Sequence, residues 1–334
     1  MQLLIITVMA ALAGNPQLAS TNAPSITNLS LSALLPKNDP VERDYRRLLE
    51  MDDDAQTEVD QWIKEDEQFK EKGVQGITLR ARILQRFEPV KKAYEEFLRK
   101  NPNHVEARIA YGSFLNDINE EDNAEAQWQK AREIAPANPA VWNNLANFYG
   151  HNGNVQRAFD YYAKAIELNP KETVYYQNFA TTVYMFRKDA MEHYKITEEQ
   201  VFQKAMALYY KALDLDPQNF VLAADVAQSY YGIKPKVTGD AEADKKAADK
   251  QTDEAIAAWL KALQLARDET ERQGVYVHLA RVQINAGRLD GAKKNLDSVT
   301  NDMFSTTKKL LLKKLTKMEG TNAPSTTTVT QPAK

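Results

Sequence analysis

The sequence predicts an all-α protein made of stacked helix pairs, and three observations carry that expectation. Pro102, Pro136 and Pro170 recur at an interval of 34, a length that holds two helices and their turns. Between them, small and large apolar residues alternate at helical spacing. The composition is that of a helical chain, with 43% core-forming residues, 12 glycines and no cysteine in 334 residues.

The same composition excludes whole classes of chemistry. Lys and Arg number 43 against 46 Asp and Glu, so the net charge of -3 provides no global field for nucleic acid. The absence of cysteine removes disulfides, thiolate metal sites and Cys nucleophiles, and four histidines leave little room for a His-based metal site. The chain has no H-E-x-x-H, no G-x-S-x-G, no Walker loop and no dinucleotide fingerprint. Asp52-Asp53-Asp54 lacks the Gly turn and spaced Glu of a calcium loop. No catalytic residue, cofactor or metal is therefore expected.

From the beginning of the chain, residues 3–13 form a short apolar run that ends in Ala11-Leu12-Ala13 before Gly14. That pattern predicts a secretory signal peptide or apolar segment over residues 1–19, hence a periplasmic or secreted protein. An uncleaved segment would instead anchor the chain to a membrane, and without export the protein would be cytoplasmic. Residues 20–40 and 319–334 are rich in Ser, Thr, Asn and Pro and are expected to be disordered; Thr21-Asn22-Ala23-Pro24-Ser25 recurs as residues 321–325. Residues 41–75 read as acidic N-terminal capping helices, with Trp62 and Phe69 as packing points.

The repeat is most complete in the middle. Trp142-x2-Leu145-Ala146-x2-Tyr149 is followed by Gly153, then Ala158-x3-Tyr162-x2-Ala165, then Pro170. Small residues let the two helices approach, large ones fill the gap, Gly153 turns the chain and the proline ends the second helix. Upstream, Tyr111-Gly112-x2-Leu115 leads to Ala124-x3-Trp128-x2-Ala131. Downstream, Tyr176-x2-Phe179-Ala180 leads to Ala205-x3-Tyr209-x2-Ala212, and Val226-Ala227 to Ala255-x3-Trp259-x2-Ala262. The last copy is Tyr276-x2-Leu279-Ala280, Gly287, Ala292-x3-Leu296. Val90-x3-Tyr94-x2-Phe97 marks the second helix of a degenerate earlier pair.

This pattern closely resembles the tetratricopeptide repeat family over residues 76–303. The resemblance implies a right-handed α-solenoid of about five helix pairs with capping helices. Trp142 is expected to be a buried anchor between helices. Two copies are longer than 34, with inserts near 188–200 and 236–251. Thr197-x-x-Gln200 closes the first as a capping box. Residues 304–318 read as a C-terminal capping helix with Leu311, Leu315 and Met318 on one side and lysines around it.

In such solenoids the first helix of each pair lines the concave groove. The resemblance places Asn144, Asn178, Asp225 and His278 there, with Asn147, Thr181, Gln228 and Arg281 one turn on and Asn143 and Gln177 beside them. The set resembles the asparagine ladder of peptide-binding members of the family, in which amide side chains match the backbone of an extended peptide. The Lys and Arg needed to clamp a partner's carboxylates are missing there, Arg281 apart. The expected function is a non-catalytic scaffold that binds a protein partner or extended peptide in its groove. The alternative is an envelope-anchored assembly or secretion accessory. No nucleic acid is expected, and membrane contact only if the N-terminal segment is uncleaved.

Overall fold

The computed structural model describes residues 39–70, 77–235 and 237–322. The expected export segment, the linker as far as residue 38 and the tail beyond 322 lie outside the described residues. Among the described residues the chain is all-α, with fourteen α-helices and no strand. It forms two compact units, which divide after Ala205.

The first unit opens with α1 (Pro40–Lys70) and α2 (Ile77–Lys100), which pack as a pair. Asp39 starts α1 by accepting from the Val41 amide at 2.8 Å, with Pro40 at the first helical position. Tyr45, Leu48, Ala55 and Val59 of α1 and Val90, Tyr94 and Phe97 of α2 are buried. The expected capping helices over 41–75 are therefore one 31-residue helix within the described residues, and it is the partner of the degenerate second helix. Trp62 is half-buried under the Arg82 guanidinium, 3.6 Å from the ring centroid, and the Phe69 side chain lies outside the described residues.

Two regular pairs follow, α3 (Val105–Asp117) with α4 (Glu121–Ile134) and α5 (Pro139–His151) with α6 (Val155–Leu168). The turn inside each pair needs a left-handed residue, supplied by Asn119 (φ 63°) and Gly153 (φ 81°), 34 positions apart. Each core joins a small residue to a ring: Gly112 to Trp128 in the first pair, Ala146 and Tyr162 at the same places in the second.

A second repeated device closes the turns between pairs. Arg108 donates to the Pro102 carbonyl at 2.9 Å, the Trp142 indole N–H to Pro136 at 2.8 Å and the Tyr176 hydroxyl to Pro170 at 3.1 Å. These are the same position in three repeats, and they correct the expectation for Trp142. Its ring is half-buried against Tyr161, with centroids 4.9 Å apart, and its N–H serves the turn. The buried indoles are Trp128 and Trp259.

After α7 (Thr173–Met185) the first insert folds as the short helix α8 (Arg187–Tyr194), ended by Lys195 in the left-handed region. The capping box forms as expected, with the Thr197 amide donating to Gln200 Oε1 at 2.9 Å and the Gln200 amide to Thr197 Oγ1 at 3.3 Å. It starts α9 (Glu198–Leu215), within which the two units divide.

The second unit contains α10 (Phe220–Ser229), α11 (Ala241–Leu265), α12 (Glu269–Asn285), α13 (Leu289–Asp297), a short 3-10 turn (Asp302–Phe304) and α14 (Ser305–Asn322). The second insert lengthens α11 at its N-terminal end, where Asp240 caps the amides of Glu242 and Ala243. The last helix covers the α12–α13 pair by burying Leu311 and Leu315 against Ile284, Leu296 and Phe304. It runs to Asn322, beyond the expected end at 318, so the start of the tail expected to be disordered is helical. Among the described residues no helix is long and apolar enough to cross a membrane.

Candidate functional site: the face of the first helices

In the first unit, α3, α5 and α7 are the first helices of successive pairs and touch one another in order. Their buried sides carry Ile109, Leu145 and Phe179. Ser113, Asn144, Asn147, Gln177 and Thr181 are half-buried on the same three helices. None of the five is charged, so the row offers amide and hydroxyl groups only.

The structure separates the expected ladder into two layers. Asn143 and Asn178 are each only 6% exposed, and Asn178 Nδ2 donates to Asn143 Oδ1 at 3.1 Å. Their amides pin α5 to α7 inside the stack. Asn144, Gln177 and Thr181 form the more accessible layer. Asn144 makes two long bonds of 3.4 Å, accepting from Asn143 and donating to Ser113 Oγ. Bonds at that distance are weak and exchange readily for a ligand. Asn147 is more committed: its Oδ1 accepts from the buried Tyr162 hydroxyl at 2.6 Å, which itself accepts from Thr182 at 3.2 Å. Thr181 Oγ1 donates to the Gln177 carbonyl at 2.9 Å. Ser113 was missed in the sequence, although it stands 34 positions before Asn147 and could have been found by counting back one repeat.

Asp225 and Gln228 lie on α10 in the second unit, both half-buried, with the Asp225 carbonyl accepting from Ser229 Oγ at 2.8 Å. His278, expected in the groove, is fully buried. Its ring stacks on Trp259 at 4.3 Å, and Nδ1 lies 2.8 Å from the Tyr231 hydroxyl. Burial, reinforced by the Arg281 charge, pushes its pKa down to about 3, so it is a neutral packing residue at ordinary pH. Arg281 remains half-buried nearby.

Sequence reasoning also missed a pocket of about 280 Å³ in the second unit. Leu213, Ala223, Val226 and Ala258 make it apolar, and Tyr210, Tyr230, Glu254 and Lys261 stand among its lining residues. The Tyr210 and Tyr230 hydroxyls are 3.0 Å apart. The pocket is lined by three successive helices, α9, α10 and α11, and periodicity does not show the gap left among them. Among the described residues no group of three His, Asp or Glu is placed to hold a metal ion.

Residues 139–172 match the family described as tetratricopeptide repeat, and this α5–α6 segment is such a repeat. No curated protein matches the chain. Among solved structures, PilF of Pseudomonas aeruginosa is similar at 17% identity, over 73% of this chain and 95% of that one, with a TM-score of 0.47. PilW, described as a type IV pilus biogenesis factor, is 14% identical over 69% and 94%, with a TM-score of 0.49. YrrB, described as a TPR protein with an unusual peptide-binding site, is 14% identical over 67% and 99%, with a TM-score of 0.46.

Proposed function

We propose that this tetratricopeptide-repeat chain is a non-catalytic scaffold that binds an extended peptide segment of a protein partner along the polar face of α3, α5 and α7. The observation that carries this reading is the uncharged, half-exposed row of Ser113, Asn144, Gln177 and Thr181, braced from below by the buried Asn143–Asn178 bond. An extended peptide presents one N–H and one C=O per residue, and amides can answer both at once. The buried bond fixes the spacing of α5 and α7, so the outer groups are pre-organised and little entropy is lost on binding.

YrrB, described as a TPR protein with an unusual peptide-binding site, motivates a peptide as the ligand to test first. Export, and a role in assembling an envelope structure, remain the companion proposal: the apolar run at residues 3–13 and the description of PilW as a pilus biogenesis factor motivate it. Site-specific photo-cross-linking tests the binding reading. A photoreactive residue in place of Gln177 should capture a discrete partner from the native extract. The same group in place of Lys164, on the second helix of the preceding pair, should not. Capture from Lys164 alone would move the binding surface off the first helices.

A further inference from the structure

We propose that the outer face of α14 is a docking surface for anionic lipid, separate from the peptide-binding face. The helix carries five lysines between Ser305 and Asn322 and one acidic residue, Glu319. Its inner side is committed to packing through the buried Leu311 and Leu315. Lys308 is also turned inward, donating to the Val299 carbonyl at 2.7 Å.

The remaining lysines are arranged by helical spacing. Lys309, Lys313 and Lys317 recur every fourth residue and form one exposed stripe. Among the described residues none of these three pairs with a carboxylate. The adjacent stripe consists of Leu310 and Lys314, with Lys314 donating to Asn285 Oδ1 at 2.6 Å. Leu310 is 64% exposed in the middle of this basic arc, and Met303, just before the helix, is 57% exposed. In a chain of net charge -3 such a face is local, and it complements a negatively charged surface.

The exposed apolar side chains decide what kind of negative surface fits. An acidic protein segment in water would pair the lysines and leave Leu310 and Met303 wet. A lipid headgroup layer answers both, because ammonium groups reach phosphates on four-carbon stems while leucine and methionine enter the acyl boundary. The helix therefore lies along the interface and does not cross it, in keeping with its length and composition.

Vesicle co-sedimentation of the full chain tests this. Phosphatidylglycerol-containing vesicles should bind the protein at least tenfold more tightly than phosphatidylcholine vesicles at low salt, and high salt should remove the preference. Lys309→Glu/Lys313→Glu/Lys317→Glu should lower the partition coefficient on anionic vesicles by about 100-fold. A control reversal on α11, Lys245→Glu/Lys246→Glu/Lys250→Glu, changes net charge equally and should preserve most of the binding. Both variants should show wild-type circular dichroism, and the apolar run at residues 3–13 is common to all, so its own affinity cancels. Leu310→Ser should weaken vesicle binding several-fold while leaving binding to soluble polyglutamate unchanged. Equal vesicle binding by wild type and the α14 variant overturns the proposal, as does an equal loss in the α11 control. No effect of Leu310→Ser on vesicles would also overturn it, leaving a face that recognises negative charge alone.

Discussion

Gly112 shows how a single position ties sequence to packing. A Cβ placed there would lie 2.7 Å from Cδ1 and 2.8 Å from Cε2 of Trp128, a ring that is 4% exposed and donates to the Ile109 carbonyl at 3.2 Å. One repeat later the same two places are Ala146 and Tyr162, a smaller ring facing a methyl group. Gly112→Ala should therefore destabilise the first unit by about 1–3 kcal/mol through overpacking, outweighing the gain in helix propensity. Adding Trp128→Tyr recreates the downstream pair and should recover a large part of the loss, a non-additivity that a double-mutant cycle in urea reads directly. A double variant as unstable as the sum of the singles would contradict this packing. Similar reasoning from the repeat failed for Trp142. A large aromatic at a helix start reads as core, yet here the ring rests on Tyr161 and its N–H closes a turn onto Pro136. The interval of six that Trp142 shares with Arg108 and Tyr176 was present in the sequence, but hydrophobicity cannot rank a hydrogen bond that any of three chemically different side chains can make.

Among the helices, the α1–α2 pair carries a charge set against its own burial. Asp52 of α1 accepts from the Tyr94 hydroxyl of α2 at 2.6 Å and from Gln56 at 3.4 Å. Burial pushes its carboxyl pKa up to about 6, the two hydrogen bonds offsetting only part of that rise. A carboxyl whose pKa is higher folded than unfolded stabilises the fold fully below its unfolded pKa. That contribution is lost as pH rises through the folded value. Asp52→Asn keeps the acceptor for Tyr94 and removes the titration. The variant should match wild type near pH 4 and be more stable by about 1–3 kcal/mol near pH 8, measured by chemical denaturation. His278, held neutral in the second unit, contributes a pH dependence of its own that is common to both proteins and cancels in the difference. A stability difference independent of pH would show that Asp52 is solvated like any surface carboxylate. This pairing was not legible as such: the acidic run reads as helix surface, yet against α2 Asp52 is half-buried while Asp53 and Asp54 stay exposed. The existence of helices, the capping box at Thr197 and the left-handed turn at Gly153 were legible, because each depends on residues a few positions apart.

At the scale of the molecule, periodicity identifies which helices come first in each pair but not how deep each polar residue sits. Asn143 and Asn178 look like surface ligands because asparagine is polar. They are buried, with Asn178 Nδ2 donating to Asn143 Oδ1 across α5 and α7 and the Asn143 amide donating on to Asn144. His278 is buried for a different reason, a flat ring accepted by Trp259. On α3, α5 and α7, Asn144, Gln177 and Thr181 stay half-exposed with Ser113 beside them, and the central claim is that this set grips a partner's backbone. Calorimetric titration of the partner captured through Gln177 against wild type and Asn144→Ala/Gln177→Ala/Thr181→Ala tests it most directly. With each lost hydrogen bond worth about 0.5–1.5 kcal/mol, the triple variant should bind at least tenfold more weakly while unfolding at the wild-type denaturant midpoint. Wild-type affinity should change little between low and high salt, because the contacts are neutral. Equal affinities for the two proteins, or a wild-type affinity that collapses with salt, would contradict backbone recognition by this face.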